Sequence, residues 1–333
     1  MNKQTLLGLI VIIVGAAILF SNVFDLKFSN NFTKGEEVSQ VYDATQIKEL
    51  TIRTSSVNVK LLPTDSNSIQ MKLYDSTNKT YDVTNYVSKS EFSNQLELNV
   101  KSPRKWFMPF QFKSYTYEIT VPTHLISDLQ VDSKSGNIIS NSINLEELAL
   151  EASSGNITIH DSNSEALTAK VSSGNIKLND IASTSLSATA SSGNITVEQL
   201  KSSSVTLKAT SGNAKLTSFT AEDVQAEVSS GNLTLEGKTA GLNAYSSSGN
   251  IKIEVDDLSK ESRLESSSGN IKLTLLKQPQ SLAVIHQKSS GSSSIGKSGF
   301  ELITQENRKL EGKFGSGDIP LYVKTSSGNL SLQ

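Results

Sequence analysis

Apolar and polar residues alternate in short bursts along most of this chain, and each burst turns at the same tripeptide. Leu186, Ala188 and Ala190 precede Ser192-Gly193-Asn194, and Ile195 and Val197 follow it. Leu167, Ala169 and Val171 stand before Gly174, with Ile176 and Leu178 after it; around Gly212 the places are taken by Val205, Leu207, Ala209, Ala214 and Leu216. A period of two on both sides of a corner predicts two short strands, each with one buried face. Ser-Gly-Asn occurs nine times, and Gly136, Gly155, Gly174, Gly193, Gly212 and Gly231 are spaced 19 residues apart. Gly249, Gly269 and Gly328 carry further copies, with degenerate relatives around Gly291 and Gly317. A fixed period in this range marks a stacked repeat.

Hairpins would not need identical spacing, whereas near-identical rungs favour stacking like on like in parallel register. The expected fold is therefore all-β: a parallel β-solenoid with one coil of about 19 residues per repeat and coils about 4.8 Å apart. Parallel connections are nearly always right-handed, so a right-handed coil is the default. Glycine suits the corner if φ is positive there, or if the next coil passes too close for a Cβ. Asn137, Asn156, Asn175, Asn194, Asn213, Asn232, Asn250 and Asn270 follow the glycines, and stacked asparagines form hydrogen-bonded ladders. About six residues per repeat close the coil, plugged by Ile181, Leu200 and Phe219.

The same grammar opens at Leu50 and Ile52, but Val57 replaces the glycine before Asn58, which predicts a divergent first coil. The solenoid is expected over 46–333. Residues 63–123 interrupt the period with strand-like stretches and the apolar run Trp106–Phe112, and read as an inserted β cap over the membrane-proximal end. Trp106 and Phe107 are candidates for the core of that cap or for a contact with the outer membrane leaflet or a partner. After Gly269 the spacing decays, predicting irregular coils over 285–333, where the tail either folds back as the distal cap or offers an edge to a partner.

Residues 6–24 are apolar apart from Ser21 and Asn22, and as a helix would span roughly 28 Å, enough for a bilayer core. Lys3 precedes them, so residues 1–5 are expected in the cytoplasm, 6–24 as a transmembrane anchor, 25–45 as a linker and the repeat outside the cell membrane. A cleaved signal peptide is the rival reading, though no small-x-small site follows the apolar core.

A net charge of −2 with no Lys/Arg-rich run argues against nucleic acid as a partner. Cysteine is absent, which removes disulfides, thiolate metal sites and a cysteine nucleophile. His124, His160 and His286 share no repeat position, and the acid pairs Glu146-Glu147, Glu222-Asp223 and Asp256-Asp257 do not fall at stacked corners. The corner serines have no base placed beside them. No catalytic residue, cofactor or metal site is therefore expected. One outward column is ordered: Thr158, Lys177, Thr196, Lys215, Thr234, Lys252 and Lys272 each stand three residues after a corner glycine. Alternation of Lys with Thr avoids stacking like charges. It reads either as protection against lateral aggregation, or as a face, Lys177, Lys215, Lys252 and Lys272, for anionic wall polymer or glycan.

Ser-Ser-Gly-Asn-Ile corners followed by Thr or Lys and an aliphatic residue, behind one N-terminal apolar segment, resemble a β-strand-repeat family of Firmicutes named for adhesion, a domain of unknown function. Within it the layout is similar to LiaG-type membrane-anchored proteins, encoded beside cell-envelope-stress two-component systems. The resemblance covers residues 46–333 and implies an extracytoplasmic solenoid in an envelope-stress setting, with no catalytic residues to transfer. The resulting expectation is a non-enzymatic scaffold or accessory binding protein, partnered by the cytoplasmic membrane and by envelope proteins or wall polymer. A surface adhesin or wall-glycan-binding protein is the alternative, and a polysaccharide-modifying enzyme the remaining one.

Overall fold

The computed structural model describes residues 39–103 and 114–333, and their regular structure is all strand, joined in one sheet. In the middle of the chain the strands Ile157–Ser173, Ile176–Ser192, Ile195–Ser211, Ala214–Ser230 and Leu233–Ser248 lie parallel. Ile157 pairs with Ile176, Ile176 with Ile195, and Ile195 with Ala214, so each residue stands beside the one 19 positions on. Each coil wraps its own buried row; in one, Ile176, Leu178, Ile181, Leu186, Ala188 and Ala190 all face inward. This is a parallel solenoid held by backbone ladders and a continuous apolar core.

The closing stretch of each coil is itself extended. It bends at one residue in the left-handed region: Asp161, Asp180, Gln199 and Ser218, with φ of 53–58°. That residue adds a second outward position, so Asn179 and Asp180 both face out and Ile181 returns to the core. The coil from Gly231 to Gly249 lacks it. Thr217 pairs with Glu236 and Phe219 with Gly237, leaving Ser218 without a counterpart. Phe219, the largest plug in its column, lies against Gly237, where a Cβ would sit 2.4 Å from the ring.

The stack does not follow chain order at the proximal end. Strand Glu49–Thr54 pairs parallel with Asp128–Ser133 on one side and with Gln95–Val100 on the other. Strand Asn58–Pro63 pairs likewise with Ile138–Asn141 and with Tyr115–Val121. Strands Gln95–Val100 and Tyr115–Val121 thus add a further parallel layer outside the first coil, so the expected cap over 63–123 is only partly a cap. Antiparallel strands close the end: Val87–Phe92 on Gln95–Val100, and Ser68–Asp75 on Tyr115–Val121. Ser39–Asp43 pairs with Ser68–Asp75, which ends the expected linker before residue 45, because Tyr42 and Ala44 are buried in the cap. Val57 takes the corner place next to Gly136, where a Gly136 Cβ would lie 1.8 Å from the Val57 carbonyl oxygen.

The distal end is also out of order. Strand Ser262–Ser268 pairs with Ile319–Ser327, and Ile271–Leu275 with Leu330–Leu332, so the corner stacked on Gly269 is that of Gly328. Strands Ser281–Ser290 and Ser293–Ile295 lie beyond these and carry Gly291. The C-terminal residues therefore form the next-to-last coil, rather than the distal cap or an open edge. Lys309–Gly315 pairs antiparallel with Ser281–Ser290, and Phe300–Gln305 with Lys309–Gly315. Both ends follow one physical rule: a parallel coil would expose a row of unpaired N–H and C=O groups, and antiparallel strands cover it. Residues 6–24, Trp106 and Phe107 lie outside the described residues. Among those described, no helix is long and apolar enough to cross a membrane.

Candidate functional site

The corner column is built by close approach. Gly193 has φ 149°, and a Cβ there would stand 1.8 Å from the carbonyl oxygen of Gly174. The same collision, at 1.8–2.2 Å from the preceding coil's backbone, recurs at Gly136, Gly155, Gly174, Gly212, Gly231, Gly249 and Gly269. Beside the glycines the backbone N–H of Asn194 donates to Oδ1 of Asn175 at 2.9 Å, and its Nδ2 donates to the same oxygen at 3.3 Å. Equivalent backbone bonds carry the ladder from Asn58 through Asn137, Asn156, Asn175, Asn213, Asn232, Asn250 and Asn270 to Asn329. Ser292 ends it with its N–H on Asn329 Oδ1 at 2.8 Å. Inside the ladder, amide oxygens are already engaged from the next coil, so the column ties coils together and has little left to offer a ligand.

The two outward columns that flank the corner differ in charge balance. Four residues before the glycines, Lys170 meets Glu151 at 2.9 Å, Lys208 meets Glu227 at 3.0 Å and Lys324 meets Glu265 at 2.7 Å. That column neutralises itself, each exposed pair contributing about 0–1 kcal/mol. Three residues after the glycines, Thr158, Lys177, Thr196, Lys215, Thr234, Lys252 and Lys272 occupy successive coils. Lys252 bonds Glu236 at 2.6 Å, which raises its pKa. Lys177, Lys215 and Lys272 have no ion pair among the described residues. Apart from Lys252, the lysines of this column present unpaired positive charge, and the Lys–Thr alternation ends where Lys252 stands beside Lys272.

A groove of about 840 Å³ runs along the closing side of the same coils. Its floor is low because Ala182, Ser183, Ser202 and Ala221 are small, and Asn144, Asn163, Glu165 and Lys201 line it. His124, on the loop after Val121, stands at one end and hydrogen-bonds Asn67 at 3.0 Å. The groove escapes a reading of the sequence because its residues carry no motif; the only trace is a run of Ser and Ala nine residues after successive glycines.

Two of the three acid pairs have a lysine against them. Asp223 lies 2.8 Å from Lys260, and Asp256 lies 3.0 Å from Lys277, whose hydrogen bond lowers the Asp256 pKa. His286 is fully buried, with Nδ1 2.8 Å from Ser293 Oγ and Nε2 3.0 Å from Thr325 Oγ1. Burial pushes its pKa down to about 4, so it is neutral at pH 7 and serves the distal core. No group of His, Asp and Glu able to hold a metal ion occurs among the described residues.

Ladders of identical corners, parallel coils and a single wrapped core define a repeat β-solenoid. Residues 47–165 and 157–333 match the Toastrack DUF4097 family, and the chain belongs to it. Among solved structures, a protein named for cell adhesion from Clostridium sporogenes is 9% identical, with 90% of this chain and 99% of that chain covered and a TM-score of 0.26. One named as an adhesin from Bacteroides fragilis is 14% identical, covers 90% and 98%, and scores 0.37. One named for lipid binding from Parabacteroides distasonis is 15% identical, covers 89% and 96%, and scores 0.44. No curated protein matches the chain.

Proposed function

We propose that this chain is a non-enzymatic, extracytoplasmic binding rod, tethered by residues 6–24 to the cytoplasmic membrane with its N-terminus inside. Its role is that of a scaffold or accessory protein in a cell-envelope stress response, in keeping with the resemblance to LiaG-type proteins of Firmicutes. The observation that carries the binding role is the contrast between the two outward columns. One cancels its own charge, whereas Lys177, Lys215 and Lys272 are held in register with no acidic partner among the described residues. The lysines against Asp223 and Asp256 support a binding role over a hydrolytic one. Crosslinking in cells with and without envelope antibiotics, followed by capture of the chain, is expected to recover an envelope protein in a stress-dependent manner. Recovery of none under either condition counts against the scaffold role.

The same lysine column favours a second reading, an adhesin or wall-glycan-binding protein. A polymer bearing one negative charge every 10 Å or so would match Lys177 and Lys215, two coils apart at about 4.8 Å each. Changing Lys177, Lys215, Lys252 and Lys272 together to Ser is expected to weaken binding to anionic wall fragments at least tenfold at low salt. The loss should shrink as salt screens the charges. Undiminished binding would remove this face from consideration and leave the scaffold reading standing.

A further inference from the structure

Three residues before each corner runs an inward column of small or aliphatic side chains, from Ala190 through Ala209 and Val228 to Ser246, Ser266 and Thr325. The outermost coil breaks it. Lys288 takes the place opposite Thr325 and is only half-buried. Its backbone N–H bonds the carbonyl of Arg308 at 2.9 Å, which sets Arg308 at its side. Neither cation has an ion pair among the described residues.

The two open onto a cleft of about 340 Å³ that Ser289, Lys309, Lys324 and Thr325 also line. Glu311 neutralises Lys309 at 2.6 Å and Glu265 neutralises Lys324 at 2.7 Å. Two positive charges are left over, matching the −1 to about −2 carried by a phosphate ester. A guanidinium fork beside an ammonium and the Ser289 hydroxyl is a donor set that phosphate oxygens take, while the buried Thr325 hydroxyl is engaged by His286. A lysine present only to discourage edge-to-edge association belongs on the open edge strand. Lys288 is instead covered on its outer side, its N–H bonded to Arg308 and its strand paired with Lys309–Gly315.

We propose that this distal cleft binds a phosphate-ester group, with Lys288 and Arg308 as its principal ligands. The inference is independent of the lysine column three residues after the corners, and the two can fail separately.

Lys288→Thr is the decisive variant, because it restores the residue type of the neighbouring coil and should fold at least as well as the native chain. With the full-length chain in mild detergent, inorganic phosphate is expected to raise Tm relative to chloride at equal ionic strength. Lys288→Thr and Arg308→Gln should each weaken phosphate binding about tenfold, with their unliganded Tm confirming that they fold. Soluble glycerol-phosphate oligomer and a short-chain anionic phospholipid then distinguish a polymer from a headgroup as the source; Lys288-dependent binding of either supports the site. An equal phosphate shift in native chain and Lys288→Thr, or no shift in the native chain, overturns the proposal.

Discussion

Gly193→Val is expected to destabilise the solenoid by more than about 4 kcal/mol, the range reserved for substitutions that the structure cannot relax around. Two costs combine. Gly193 has φ 149°, a conformation that a β-branched residue resists, and its Cβ would lie 1.8 Å from Gly174 O and 2.6 Å from Gly174 C. Those atoms are backbone, and they are pinned: Gly174 N donates to Ser192 O at 3.0 Å while Asn194 bonds Asn175 in the same corner. Relief requires prising one coil off the next. Each coil is stabilised chiefly by its neighbours, so the damage should spread along the stack in both directions. Urea unfolding followed by circular dichroism reads the effect. An unchanged midpoint would contradict the corner geometry.

Ile195→Asp is the second severe case. Ile195 is fully buried, pairs with Ile176 and Ala214 in the flanking coils, and stands in a column that is apolar from Val59 to Leu330. A carboxylate there has no cation to meet, so it stays charged or takes up a proton, and either form costs several kcal/mol to bury. Thr196→Asp, one residue on and facing outward between Lys177 and Lys215, is the matched control and should change stability by less than about 0.5 kcal/mol. If the two variants unfold at the same urea concentration, the inward and outward assignments of this strand are wrong.

The period was readable because stacking imposes it on the residues themselves. A corner that admits no Cβ forces glycine, and an amide ladder rewards asparagine, so both recur at each turn. The second bend leaves no such mark. Asp161, Asp180, Gln199 and Ser218 share a left-handed backbone yet point outward, where several polar side chains serve equally. Coil order at the ends was illegible for a different reason. Spacing along the chain places Gly291 after Gly269, but the stack is decided by which strand docks there, and Asn329 bonds Asn270 across 59 residues. The proximal extra layer went unread because residues 95–121 carry no Ser-Gly-Asn. Of the binding surfaces, the lysine column was visible through its alternation. The distal cleft was hidden, because Lys288 becomes unusual only once its column is known.

Distances between spin labels along the column three residues after the corners test the stack most directly, since the chain has no native cysteine to compete for the label. With one label at Lys177, a second at Lys215, Lys252 and Lys272 is two, four and five coils away, so backbone separations of about 10, 19 and 24 Å are expected. Ser331 and Ser294 follow at about 29 and 34 Å, the later residue lying nearer because the terminal segment is threaded inside the outermost coil. Separations that fail to climb with coil number, or that place Ser294 nearer than Ser331, would contradict the account.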